Sequence, residues 1–481
     1  MAIADPLDFN VLDALRFAQD ARVEEVLAIP SQLARYVEDV LAAKVGEEED
    51  TGTPVTSILD DLYAELGEAG YEAEADAGSE APEGAVVRLA NQIILDAYQQ
   101  GASDIHIEPN GKESELVVRL RVDGVCEAYQ SIPSAFRNNL VARLKVMATL
   151  DIAERRKPQD GKIRFKAGDK TIELRVSTMP TVSGSEDLVM RILAASKPIP
   201  LGEMGMTQRN LDTFKNLVKR PYGLVLCVGP TGSGKTTTLH SALGEINEVG
   251  TKIWTAEDPV EITQAGLRQV QVHPKIGFGF AEAMRGFLRL DPDVIMVGEM
   301  RDFETASIGV EASLTGHLVL STLHTNSAPE TVTRLLDMGL DPFTFGDALI
   351  GVLAQRLARA LCKKCRTTYV ASVEEFETIT EIFGADGVRR ILGIGKREDL
   401  QLWRAEGCGL CKESGYKGRV AIHELLVNDA DVQRAIQQKL TAAEVRDLAI
   451  AGGMQTLLED GVQKAMDGKT DLKTVLAICR R

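Results

Sequence analysis

The chain has 481 residues, 44% hydrophobic and 26% charged, with a formal net charge of −17. That length exceeds what a single hydrophobic core organises, so two to four domains are expected. No apolar run approaches the roughly 18 residues of a membrane span, and MAIADPLDFN lacks a basic-then-apolar leader pattern; both predict a cytoplasmic protein that meets membranes only through partners.

Residues 1–44 read as a helix capped by Asp8, a strand from Val23 to Ile29, and a second helix from Ser31 with Leu33, Tyr36, Val37, Val40 and Leu41 on one face. Two helices and a strand bury little surface alone, so this segment resembles the back half of a domain. Residues 45–84 form an acidic linker, in which Ile58, Leu59, Leu62 and Leu66 make one short amphipathic helix. Between Val45 and Val87 stand thirteen Asp/Glu and no Lys or Arg; without them the chain carries only about −4. Such a balance opposes a motor that grips nucleic acid, which needs Lys and Arg against the phosphates.

A smaller mixed α/β domain follows at 85–200. A helix ending at Gly101 leads into strand-like runs ASDIHIEP, ELVVRLRV and TIELRVSTMP. From 201 to 481, strands alternate with helices (YGLVLCVG, TKIWTAED, DVIMVGE, HLVLSTLH), the pattern of an α/β core with a parallel sheet. Helical patterns after Asp429 predict a small C-terminal helical subdomain.

Gly229-Pro230-Thr231-Gly232-Ser233-Gly234-Lys235-Thr236 fits the phosphate-binding loop G-x-x-x-x-G-K-[ST], with an apolar strand before it and a helical pattern after it, and Thr237 next to it is expected among the nucleotide-binding residues. Glycines let backbone N–H groups approach phosphates, and the helix N-terminus adds its positive dipole end. Lys235 is expected to reach the β- and γ-phosphates, and the Thr236 hydroxyl to ligate Mg²⁺. Two further runs place carboxylates at strand ends: Glu299 after DVIMVG, and Glu257, Asp258 and Glu261 in TAEDPVE. Carboxylates there can hold Mg²⁺ or orient the attacking water. Of six histidines, His317 and His324 bracket LVLSTL. Imidazole can donate to a γ-phosphate oxygen, but from spacing alone both serve equally well as structural residues. Four of the seven cysteines form two C-x-x-C pairs, Cys362/Cys365 and Cys408/Cys411, which favours a metal over disulfides in a cytosolic chain. Cys126, Cys227 and Cys479 stand alone.

The order of these elements (phosphate loop, EDPVE, RLDPDVIMVGEMRD, TGHLVLSTLHTN) resembles the assembly ATPases of type II secretion and type IV pilus machines, a RecA-like family, over roughly residues 85 to 470. The resemblance implies a hexameric, Mg²⁺-dependent ATP hydrolase that drives addition of pilin or pseudopilin through a polytopic inner-membrane platform protein, with a separate docking protein. It implies a RecA-like motor domain preceded by a smaller, PAS-like α/β domain, for which ASDIHIEP and AERRKPQDGKIRF are hallmarks. It makes His317 and His324 functional, Glu257 the water-orienting base and Glu299 the Mg²⁺-linked carboxylate, though these two roles exchange easily. It makes Arg175, Arg191, Arg285 and Arg289 the arginines that complete the nucleotide site. Without the family, Arg175 and Arg191 are strand residues in surface ion pairs. The cysteine pairs fall where assembly ATPases carry a zinc insert (about 360–415), absent from retraction ATPases; four thiolates suit a closed tetrahedral Zn²⁺ site. Residues 1–44 match only the last third of the family's N-terminal docking domain, implying a shortened domain with no cyclic-dinucleotide site. Met300 and Ser185-Glu186-Asp187 depart from the family pattern. TAEDPVEI, ERRKPQDG and GYKGRVAIHE lean towards the pilus branch, the chain's length towards secretion. Two other readings stand beside this one, a RecA-like motor on nucleic acid and a nucleotide-gated scaffold without hydrolysis.

Overall fold

Strands of strict alternation and strands of unbroken hydrophobicity build two different sheets in the computed structural model of the chain. The structure describes residues 2–3, 26–27, 55, 57–59, 83–109, 114–167, 170–182, 185–193, 198–384, 387–388 and 393–479. It divides into two compact units, one of residues 1–96 with 135–144, the other of 97–134 with 145–481. In the first, Ala2–Ile3 pairs in parallel with Val26–Leu27, inside the strand expected at 23–29. The two helices expected around that strand lie outside the described residues. Ile58 and Leu59 of the expected linker helix are helical and buried, whereas Leu62 and Leu66 fall outside the description.

Helix α1 (Glu83–Gln99) precedes strands β1 (Ala102–Pro109), β2 (Leu116–Val122) and β3 (Val125–Ile132). Helix α2 (Arg137–Met147) then leads to β4 (Gln159–Ala167), β5 (Lys170–Pro180) and β6 (Glu186–Leu193). The six strands form one antiparallel sheet in the order β3-β2-β1-β6-β5-β4. Ile105, Ile107, Val118, Leu120, Leu174, Val176, Leu188 and Met190 are its buried face, and between them stand His106, Arg119, Arg175 and Val189. Asp123 and Gly124, both at positive φ, make the tight β2–β3 turn that a D-G pair favours.

The larger sheet begins after α3 (Gln208–Val218) with β7 (Gly223–Val228), followed by α4 (Lys235–Ile246), β8 (Ile253–Glu257), β9 (Arg268–Gln271) and α5 (Phe280–Phe287). Next come β10 (Val294–Val297), α6 (Phe303–Leu314), β11 (Leu318–Leu323), α7 (Ala328–Asp337), α8 (Pro342–Ala348) and β12 (Leu349–Leu361). A two-stranded ribbon of β13 (Thr367–Val370) and β14 (Gln401–Arg404), with α9 (Val373–Phe383) between them, interrupts the sheet before β15 (Tyr416–Val427). Helices α10 (Ala430–Gln437), α11 (Ala442–Ala451), α12 (Leu457–Met466) and α13 (Leu472–Cys479) supply the expected C-terminal helices. The seven strands run β9-β8-β10-β11-β7-β12-β15, all parallel except β15, which pairs antiparallel with β12.

Central strands carry apolar side chains on both faces because helices cover both. Val225, Cys227, Leu318 and Leu320 pack with Leu239, Ala242 and Leu243 of α4. Leu224, Leu226, Val228 and Val319 pack towards α5, α6, α7 and the C-terminal helices. Each such side chain contributes roughly 1.5–3 kcal/mol on burial, so the sheet is a stiff platform. Its strand ends carry the chemistry.

Candidate functional site

The glycine loop leaves the carboxyl end of β7, whose six residues are all buried, and turns directly into α4. At Gly229, with φ +151°, a Cβ would stand 2.4 Å from the Gln355 carbonyl oxygen; at Gly234, with φ +86°, it would stand 2.8 Å from Gln355 Nε2. Glycine is therefore required at both positions by close approach as well as by backbone. Lys235 folds back over the loop, Nζ donating to the carbonyls of Gly229 (2.7 Å) and Pro230 (3.0 Å). Burial pulls its ammonium below the usual lysine value, with Glu299 among the charges that oppose the shift. The Ser233 hydroxyl is buried without a hydrogen-bond partner among the described residues, a free donor inside the cradle.

Sequence reasoning missed the brace beneath this loop. Gln355 of β12, fully buried, donates through Nε2 to the Ser233 carbonyl and accepts at Oε1 from Thr238 Oγ1, each at 2.6 Å. One amide thus ties the loop to the first turn of α4. Replacing it by Leu removes the donor to the buried Ser233 carbonyl, at about 1–3 kcal/mol, and leaves Thr238 Oγ1 only the Gly234 carbonyl (3.2 Å). Gln355→Leu is expected to weaken ADP binding about tenfold or more, measured by titration calorimetry; unchanged affinity would remove the brace.

Because β7, β8, β10 and β11 run in parallel, their carboxyl ends lie along one edge, as in open α/β sheets that bind ligands there. Glu299 follows β10 and accepts from Arg301 Nε at 2.8 Å, with His324 Nε2 3.4 Å away. Gly229 N donates to Leu323 O (3.3 Å), which joins the start of the loop to the strand that delivers His324. Glu257 ends β8 and is buried, receiving hydrogen bonds from Thr255 Oγ1 (2.6 Å), Gln269 Nε2 (3.0 Å) and His240 Nε2 (3.1 Å). Burial pushes this carboxyl up, yet these donors outweigh it and hold the group below the usual glutamate value. Asp258 and Glu261 are exposed on the loop beyond.

His317 is not brought to the loop of its own chain. It stands at the opposite end of β11, its carbonyl accepting from Gly223 N (3.1 Å) and its Nδ1 lying 3.0 Å from Ala312 O. A six-residue strand separates it from His324 by about 20 Å. The four arginines likewise make no hydrogen bond to the loop. Arg175 and Arg191 face each other across β5 and β6, with Lys162 beyond, on the exposed face of the six-stranded sheet. Arg191 pairs with Asp104 at 2.9 Å, while Arg175 is exposed. Arg285 on α5 pairs with Glu304 and with Glu282 (3.6 Å), and Arg289 is exposed just after that helix. The unusual Ser185-Glu186-Asp187 has a structural reason: Glu186 is a buried partner of Lys145 at 2.9 Å.

The two cysteine pairs converge. Their four Sγ atoms lie within 4.8 Å of one another, with Cys362–Cys408 at 3.9 Å, Cys365–Cys411 at 3.8 Å and Cys408–Cys411 at 3.7 Å. Four sulfurs at about 2.3 Å from a tetrahedral centre stand about 3.8 Å apart, so the donor set fits a metal ion. Backbone N–H groups of Cys408 and Gly415 donate to Cys411 Sγ, each at 3.2 Å, the hydrogen bonds that thiolate ligands take. Lys412 Nζ of the knuckle donates to Gln100 Oε1, just before β1, and Gly418 N of β15 donates to Asp123 Oδ2 in the β2–β3 turn, both at 2.7 Å. Cys227 is buried and inert, its thiol pushed up to about 12.

Residues 79–477 match the family described as Type II/IV secretion system protein. The chain belongs to this family. It is 44% identical over 479 residues to the type IV pilus assembly ATPase PilB of Myxococcus xanthus, covering 99% of this chain and 81% of that one. It is also 44% identical over 396 residues to the type II secretion system ATPase E of Vibrio cholerae, covering 82% and 75%. Among solved structures, the Legionella pneumophila ATPase DotB superposes with a TM-score of 0.59 at 22% identity, covering 84% of this chain and 98% of that one, which speaks for the fold alone. As a member of this family of secretion and pilus ATPases, the chain is a P-loop enzyme that hydrolyses ATP and uses Mg²⁺. No helix among the described residues is long and apolar enough to cross a membrane.

Proposed function

We propose that this ATPase drives addition of pilin or pseudopilin subunits in a type IV pilus or type II secretion machine, working as a homohexamer in the cytoplasm against an inner-membrane platform protein and a docking protein. The observation that carries the reading is the gathering of Glu257, Glu299 and His324 on the sheet edge that bears the glycine loop. In this proposal the loop amides and Lys235 hold the triphosphate, Thr236 and Glu299 hold Mg²⁺, Glu257 orients the attacking water, and His324 senses the terminal phosphate. Lys235 would exchange its two carbonyl acceptors for phosphate oxygens. The exposure of Arg175, Arg191, Arg285 and Arg289 supports a role on a neighbouring subunit's nucleotide, since guanidinium groups bind phosphates bidentately. His317, distant from its own loop, fits such a shared interface better than a role within one chain. The four thiols fit Zn²⁺, and this knuckle supports assembly over retraction.

Glu299→Gln keeps the volume and removes the charge. It is expected to cut Mg²⁺-dependent phosphate release at least about a hundredfold while nucleotide binding persists. Wild-type turnover is expected to be unaffected by added DNA or RNA. Full turnover in Glu299→Gln would refute the Mg²⁺ assignment, and stimulation by nucleic acid would favour a different motor.

A further inference from the structure

His240 is fully buried in α4, five residues past Lys235 and four past Thr236. Residues four apart share one face of a helix, so Thr236 and His240 lie one above the other, and His240 reaches Glu257 at the end of β8. The ring is held at both nitrogens. Gln264 Nε2 donates to His240 Nδ1 at 2.8 Å and to the His240 carbonyl at 2.9 Å. A ring nitrogen that accepts there carries no proton, so the proton of the neutral imidazole sits on Nε2 and is donated to Glu257 Oε2. Gln264 is itself placed by Gln269, whose Oε1 accepts from Gln264 N at 2.9 Å. The same Gln269 donates to Glu257 Oε1 and to the Ile262 carbonyl (2.7 Å).

We infer that His240 is a positioning residue: with Gln264 fixing its tautomer, it orients the Glu257 carboxylate so that the remaining acceptor site of Oε2 serves the attacking water. This rests on the assignment of Glu257 as the base. With Thr255 and Gln269 occupying Oε1, His240 is the single donor on Oε2 among the described residues, so its removal leaves the Oε2 side of the carboxylate without a donor to aim it. The arrangement parallels metal sites, where a second partner fixes an imidazole that in turn fixes a reacting group. It also couples helix to strand, because the helix that presents Thr236 to Mg²⁺ carries the donor that aims the base.

The test compares three variants of the full-length chain. His240→Gln places an amide N–H about where Nε2 stands; His240→Asn reaches only as far as Nδ1; His240→Leu offers no donor. Turnover is expected to fall about a hundredfold in Leu and Asn and to recover within about tenfold of wild type in Gln. The KM for ATP and the affinity for ADP should stay near wild type in all three, since the loop is untouched. A merely structural role would give equal losses in Gln and Asn, tracking their melting temperatures. Equal turnover in Gln and Asn, or full turnover in Leu, overturns the inference; if the Leu variant does not fold, the Gln/Asn pair decides alone. Glu257→Gln runs alongside. Should it hydrolyse ATP at the wild-type rate, the base assignment fails and this inference with it; should it be inactive while the His240 variants are unimpaired, only the positioning role fails.

Discussion

Lys235→Ala is expected to reduce ATP hydrolysis at least about a thousandfold, equivalent to about 4 kcal/mol of lost transition-state stabilisation. Phosphoryl transfer is catalysed by positioning and charge, and the loop lysine is the cation nearest the bond that breaks. Its ammonium is already desolvated, with the Gly229 and Pro230 carbonyls as its acceptors among the described residues, so its exchange towards phosphate oxygens meets a prepared, poorly hydrated pocket. Alanine is a good helix former and suits the first residue of α4. The carbonyls it strands border the loop rather than the interior of the sheet. Melting temperature should therefore move by only a few degrees. Phosphate release and a thermal melt on the same preparation check both halves. Retained turnover would refute the nucleotide site, whereas collapse of the fold would mean that the lysine is a structural strut.

Cys408→Ser is expected to release about one zinc ion per chain and to destabilise the C-terminal half by at least about 4 kcal/mol. The effect spreads because the knuckle is joined to the helices behind it. Leu361 N donates to Lys469 O (3.0 Å), Trp403 Nε1 donates to Met466 O (3.1 Å), and Arg366, stacked on Trp403, donates to Gly468 O. Trp403 fluorescence would follow the loss directly. Metal analysis that finds the ion retained in full would remove the site, and metal loss without destabilisation would reduce the knuckle to an accessory.

The phosphate loop and the acidic strand ends were legible because buried parallel strands announce themselves as short apolar runs, and ligands gather where those runs end. Arithmetic already present in the sequence places His317 and His324 apart, since two residues flanking a six-residue strand sit at its opposite ends. Less was legible in LIGVLAQRLARAL. Leu, Ala and Arg favour a helix, yet the segment is the thirteen-residue β12, because pairing with β7 on one side and β15 on the other outweighs local preference. That override hides Gln355, a buried amide that no motif marks. His240 was hidden differently: within KTTTLH it reads as one more helix residue, and its meaning depends on Gln264 and Glu257 arriving from other elements. Glu186 looked like a departure from a pattern and proved to be half of a buried ion pair.

Strands β12 and β15 are neighbours in register, Leu361 opposite Tyr416, although a long excursion of chain separates them. Cys362 begins that excursion and Cys411 all but ends it, with Cys362 N donating to Gly415 O at 2.9 Å. An ion held by all four sulfurs would shorten that detour to something closing more like a hairpin, lowering the entropy of bringing its distant ends together. A metal clip there would help β15 find its place beside β12. Zinc scarcity would slow completion of the very sheet that braces the nucleotide loop, at a distance from any bound nucleotide.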